Sequence, residues 1–178
     1  MKILFVVAHP NKESLSHTIL HHLENMSLKS GHNTEILDLY DTPYKQDYFA
    51  FQDDPYTKII QEKVKNANHM IFIFPIWWWD APAIFKNFYD STFLTNFWFK
   101  YVNWKAVGLL QWKTVDIITT SWGPSWLYNI VLPIKFLWSL NRIAFCGMKL
   151  RVFKVIGNAD TKKFQFDNVR KFLENFKI

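Results

Sequence analysis

A chain of 178 residues with 49% hydrophobic and 20% charged residues has the length of one domain and a globular composition, which excludes bulk disorder. Its single cysteine, Cys146, excludes an intramolecular disulfide and a cysteine-based zinc cluster. The net charge of +6 suits anionic ligands, but the basic residues are scattered, which argues against a dedicated nucleic-acid protein.

The chain opens on a short apolar run, Ile3–Ala8, ended by His9-Pro10. That run is too short for a secretory leader, and no stretch has the length of a membrane span, so a cytoplasmic protein is expected. An all-apolar run of this length reads as a strand buried on both faces. Leu15, Ile19, Leu23 and Met26 then recur at helical spacing, with Gly31 as the stop. Thr34–Leu39 is a second strand. Asp54-Pro55 reads as N-cap and first-turn proline of a helix reaching Ala67. Met70–Phe74 is a third strand, and Pro82 opens a helix carrying Ile84, Phe85 and Phe88. Val115–Thr120 is a fourth strand. Trp126–Ile143 is a helix, interrupted or started late by Pro133. Leu150–Ile156 is a fifth strand, and Phe164, Val169, Phe172, Leu173 and Phe176 mark a last amphipathic helix.

Strands alternating with helices predict an α/β fold. The expected architecture is a flavodoxin-like, doubly wound, five-stranded parallel sheet with helices on both faces, as a single domain over 1–178. Ligands of such sheets bind at the carboxyl ends of the strands, where the strand order reverses. The loops after strands one, three and four are therefore the candidates for chemistry.

In the first loop, His9, Ser14 and Ser16 approach a helix start, where free N–H groups and the positive dipole end meet. They suit a phosphate, although Ser14 reads equally as a plain N-cap. The second loop carries three consecutive tryptophans, Trp77, Trp78 and Trp79, after Pro75-Ile76. Three neighbouring indoles cannot all enter one core, so at least one lines a cleft or an interface. A flat conjugated ring is one partner, and a hydrophobic cap or dimer contact is the other. The third loop, Thr119-Thr120-Ser121-Trp122-Gly123, allows close backbone approach to a ligand or makes an ordinary turn.

Other features point less far. His17 and His21 share a helix face as a metal pair or as solvated residues, with no third ligand in view. Asp80 stands beside the tryptophans, as a helix cap or as a repulsive charge. Aromatics form 19% of the chain. Those from Phe93 to Trp112 are too irregular for one helix and read as a loop wall or dimer surface.

Taken in order and spacing, these loops resemble the NAD(P)H:quinone oxidoreductase family, the DT-diaphorase-like, flavodoxin-like flavoproteins. Ala8-His9-Pro10-Asn11, with Ser14 and Ser16, is similar to the family's flavin-phosphate loop. Phe74-Pro75-Ile76-Trp77-Trp78-Trp79, followed by Pro82-Ala83-Ile84 and Lys86, is similar to its central motif. Thr119-Thr120 stands where the family has Thr-Thr-Gly-Gly, and Phe145-Cys146-Gly147 resembles the segment before its last strand. The two glycines are replaced here by Ser121 and Trp122, and no histidine follows Tyr128.

The resemblance implies a homodimeric oxidoreductase carrying FMN, with FAD as the alternative. NAD(P)H would deliver hydride to the flavin, and a quinone or similar acceptor would then take two electrons in the same place. By position, His9, Ser14 and Ser16 would hold the phosphate end. Pro75, Ile76, Trp77, Trp78 and Trp79 would line the flavin ring. Thr119, Thr120, Ser121 and Trp122 would border its pyrimidine end, and Tyr128 would hydrogen-bond the developing anion. Two other classes share the fold. One is a regulatory subunit touching a membrane transport protein. The other is a one-electron carrier, a role that the +6 charge disfavours.

Overall fold

The computed structural model describes residues 1–42, 54–135, 143, 146–159 and 166–176. Five strands form one parallel sheet: β1 (Lys2–Val7), β2 (Asn33–Asp38), β3 (His69–Pro75), β6 (Thr114–Thr120) and β7 (Lys149–Ile156), in the order β2-β1-β3-β6-β7. Strands β4 (Phe99–Val102) and β5 (Lys105–Gly108) form a separate antiparallel hairpin. The helices are α1 (Leu15–Lys29), α2 (Pro55–Asn66), α3 (Ala83–Thr92), α4 (Ser125–Lys135) and α5 (Phe166–Glu174).

Strand alternation splits the core in two. Ile3, Phe5, Val7, Ile71 and Ile73 pack on one face with Ile19 and Leu23 of α1 and Val169 and Leu173 of α5. Leu4, Val6, Met70, Phe72 and Phe74 pack on the other with Ile60 and Val64 of α2 and Phe85 and Phe88 of α3. The uninterrupted apolar runs of β1 and β3 thus follow from burial on both faces. The sheet turns back between β1 and β3, the neighbours from which the order runs outward in both directions.

The expected strands and helices are present, with bounds moved by a residue or two. Asp54 caps α2 through the Tyr56 N–H, with Pro55 in the first turn. Helix α4 starts at Ser125 and runs through Pro133, so that proline does not delay its start. The expected continuation over 136–142, and Phe164 and Phe145, lie outside the described residues.

The hairpin is a difference. The irregular aromatic stretch contains two strands of four residues joined at Asn103-Trp104, whose φ angles are +49° and +64°. Two consecutive positive values give the primed turn that suits the twist of a hairpin. Phe93 and Trp98 from this stretch belong to the core, whereas Tyr101, Trp104 and Trp112 are exposed.

Asp116, a buried carboxylate inside an apolar strand, is also accounted for. Its partner strand shifts register there, and Asp116 accepts the Val152 N–H (3.2 Å) beside His69 Nε2 (3.1 Å). A buried charge needs such partners, because unpaired burial costs several kcal/mol, roughly.

Candidate functional site

The loops at the carboxyl ends of β1, β3, β6 and β7 enclose a cavity of about 620 Å³. That is a small-molecule volume, at the position expected for a doubly wound sheet. One end is built by 9–16. Asn11 folds this loop: its Oδ1 accepts the Glu13 N–H (2.9 Å) and its carbonyl accepts the Ser14 N–H (3.2 Å). His9 meets Asn11 through Nδ1, 3.1 Å from both its N and its O. Burial lowers the His9 pKa, more than the Asn11 contact raises it, and nearby His17 lowers it further.

Ser14 caps α1 in extended backbone, its Oγ accepting the His17 N–H. The Ser16 hydroxyl is buried, lines the cavity and has no hydrogen-bond partner among the described residues. An orphaned buried hydroxyl costs stability unless a ligand completes it. Among the described residues no lysine or arginine lines the cavity, and Glu13 adds a carboxylate at its rim.

The other end is aromatic. Trp77 and Asp80 exchange both backbone hydrogen bonds (2.9 and 3.0 Å), so Trp78 and Trp79 are the two central residues of a tight turn. Their φ angles are +51° and +64°. For bulky L-residues this region costs roughly 1–2 kcal/mol each. Such strain gathers at functional sites. The turn leaves the N–H groups of Trp78 and Trp79 unbonded among the described residues. Trp79 stacks on Tyr128 (centroids 4.7 Å apart, planes 19°), and Trp77 meets His9 edge-on (5.8 Å). Trp78 is 97% exposed and Trp122 86% exposed at the cavity mouth.

Tyr128 reaches this wall because Gly123 has no side chain: a Cβ there would lie 2.6 Å from Tyr128 Cε2. Gly157 plays the same part below it, since its Cβ would meet the Ser125 N at 2.1 Å.

Of the sequence candidates, His9, Ser14, Ser16, Pro75, Ile76, Trp77, Trp78, Trp79, Thr120, Trp122 and Tyr128 come together around this cavity. Thr119 and Ser121, expected to border the ligand, are not among the lining residues. Thr119 is fully buried, because it alternates with Thr120 at the end of β6. Ser121 turns inward and donates to the Gly123 carbonyl (3.1 Å). Asp80 accepts the Ala81 N–H (2.7 Å) and neither caps α3 nor lines the cavity. Asn11, Glu13, Leu15 and Ala159 also line it. Ala159 follows β7, the neighbour of β6 at the same sheet end, in a loop outside the three singled out from the sequence.

His17 is likewise not on a solvated face. It is buried beneath the first loop, with Nδ1 3.1 Å from Ser14 Oγ and Nε2 2.8 Å from Asp38 Oδ2. Burial pushes the Asp38 carboxyl up. Hydrogen bonds from Lys12, His17 and the Tyr40 N–H outweigh that and hold it below the usual range. Lys12 bridges Asp38 and Asp41 at 2.5 and 2.8 Å. Among the described residues no group of three or more His, Cys, Asp or Glu is gathered as a metal site, and no helix is long and apolar enough to cross a membrane.

Comparison with known proteins places this architecture. The chain is 28% identical over 130 residues to an uncharacterized NAD(P)H oxidoreductase of Haemophilus influenzae, covering 67% of this chain and 64% of that one. It thus spans less than two thirds of that relative's length. It is 31% identical over 138 residues to the FMN-dependent NADH:quinone oxidoreductase of Coprothermobacter proteolyticus, covering 68% of each. The crystal structure of Smu.1420 from Streptococcus mutans UA159 superposes with a TM-score of 0.78 at 31% identity, covering 98% of this chain and 95% of that one. Residues 1–176 match the family described by its flavodoxin-like fold, and the chain belongs to that family.

Proposed function

We propose that the chain is a flavin-dependent NAD(P)H oxidoreductase that reduces quinones or similar acceptors by two-electron hydride transfer. The observation that carries the reading is one cavity with an anion-accepting end and an aromatic end. The orphaned Ser16 hydroxyl and the first turn of α1 suit a phosphate. The unbonded N–H pair of Trp78 and Trp79 suits the acceptor edge of a flavin ring. These donors fit FMN, and the FMN-dependent relative from Coprothermobacter proteolyticus supports it over FAD.

When bound, the flavin supplies the electron-accepting and electron-donating ring. On this reading His9, Ser14 and Ser16 hold the phosphate. Trp77 to Trp79 flank the ring, and their main-chain donors stabilise negative charge on it. The Trp79–Tyr128 stack fixes the Tyr128 phenol at the cavity wall, where it donates to the developing anion of the acceptor. Trp122 narrows the mouth and offers a face for a flat substrate. Thr119 and Ser121 support the loop from below.

The working unit on this reading is a homodimer of single-domain chains, in the cytoplasm. Support comes from large apolar side chains left exposed: Trp78 and Trp122 at the cavity, and Trp126 and Ile130 on α4. A second copy would cover them. The buried thiol of Cys146, which forms no disulfide, suits a reducing compartment.

Steady-state turnover of NAD(P)H with a soluble quinone tests the activity. Parallel double-reciprocal lines, the signature of two half-reactions in one place, are expected. A flavin-loaded chain that reduces no quinone contradicts the reading.

A further inference from the structure

Resting on the flavin reading above, we propose that His17 is a positioning residue whose protonation is linked to phosphate binding: it takes up a proton when the dianion enters, and so turns the Ser14 hydroxyl from an acceptor into a donor.

The hydrogen bonds leave few alternatives. The Asp38 carboxylate only accepts, so His17 Nε2 carries a proton toward it at 2.8 Å. If the ring is neutral, Nδ1 holds a lone pair and takes the Ser14 O–H at 3.1 Å. Ser14 Oγ also accepts the His17 N–H. Its only proton is then spent inward, and what remains toward the cavity is a lone pair that repels an anion. If Nδ1 gains a proton from solvent, the direction reverses. Nδ1–H donates to Oγ, the backbone N–H fills the second lone pair, and the Ser14 O–H is released to the phosphate. No group is left unsatisfied.

The charge arithmetic favours the same event. No lysine or arginine among the described residues lines the cavity, and Glu13 does. A dianion there has the α1 N-terminus, hydroxyls and the two histidines to meet it. Burial lowers the His9 pKa, more than the Asn11 contact raises it. Around His17, Asp38 of β2 favours the cation. The His9 ring at 6.5 Å and the His21 ring at 6.4 Å oppose it when charged. Lys12 opposes it as well, but is held against Asp38 and Asp41. Ser16 supplies a second, independent donor, buried and without a partner among the described residues.

Calorimetric titration of the flavin-free chain with FMN, in two buffers of different ionisation enthalpy, counts the protons. The titration belongs at about pH 7.5, where a phosphate monoester is already mostly dianionic. Riboflavin, the same ring without phosphate, is the control. Uptake of about one proton with FMN and none with riboflavin is expected, with FMN affinity falling by up to about tenfold per pH unit between the pKa of the free chain and that of the complex. His17→Gln keeps a donor for Asp38 but cannot titrate, so it should bind FMN more weakly and without proton uptake.

FMN binding without proton uptake overturns the proposal and leaves the flavin reading standing. Uptake that persists in His17→Gln assigns the proton to His9 and also overturns it. If that variant does not fold, ring nitrogen-15 shifts of the native chain decide. Nδ1 protonated with FMN and not with riboflavin supports the proposal, and a neutral ring in both complexes overturns it. Failure of both flavins to bind removes the flavin reading and the proposal together.

Discussion

The Ser16 hydroxyl is buried in the first turn of α1, at the cavity, with no partner among the described residues. Ser16→Ala is therefore expected to leave the thermal midpoint of the free chain unchanged or slightly raised. It should weaken FMN by about 1.5–3 kcal/mol, roughly ten- to a hundred-fold, as expected for a hydrogen bond to a charged group. Calorimetry and a melting curve on the same sample check both halves. Lys12 tests the pH side. The Asp38 pKa is lowered, so its stabilisation is present above the ordinary aspartate range and is lost as pH falls through the lowered value. The Lys12 pKa is raised: burial lowers it, and the hydrogen bonds from Lys12 to Asp38 and Asp41 outweigh that. Its share is thus present below the ordinary lysine range and is lost as pH rises through the raised value. Both are in place at neutral pH. Lys12→Met should move the acid unfolding transition, followed by circular dichroism, to higher pH, with a smaller difference in high salt. Most cavity residues were legible in the sequence, because loops at strand ends are few and their residue types unusual. His17 was misread because Asp38, 21 residues away, is brought beneath the helix by the sheet.

At the scale of elements, two glycines set where α4 starts. A Cβ on Gly157 would lie 2.1 Å from the Ser125 N and 2.6 Å from the Gly123 carbonyl oxygen, both backbone atoms. Gly157→Ala should cost about 2–3 kcal/mol in urea unfolding, the upper range for overpacking, and displace the helix that carries Tyr128. The β4–β5 hairpin is strained in the opposite sense. Trp104 is almost wholly exposed at φ +64° in a turn that favours glycine. Trp104→Gly should raise the unfolding free energy in urea by about 0.5–1 kcal/mol, through a higher midpoint at unchanged slope. The sheet strands were readable because burial on both faces leaves long apolar runs. The hairpin was not, because its strands are four residues long and its turn is Asn-Trp in place of Asn-Gly. Thr119 and Thr120 were read together, although strand alternation sends them to opposite sides.

At the scale of the molecule, the fold places one cavity where the parallel sheet turns back, between β1 and β3. Strand order is not written in any single segment. The alternation of strands and helices pointed to a doubly wound sheet, and the resemblance of the loops agreed with it. The same loops leave a strained turn, an orphaned hydroxyl and a rim of exposed tryptophans, each costly to an isolated chain. On the proposed reading a bound flavin would account for the first two, and a second copy of the chain for the third. The most direct measurement is the visible absorbance of the purified chain after loading with excess FMN and desalting. The account predicts a retained flavin band that bleaches when NAD(P)H is added without oxygen and returns when a quinone follows. A folded chain that retains neither FMN nor FAD would contradict it.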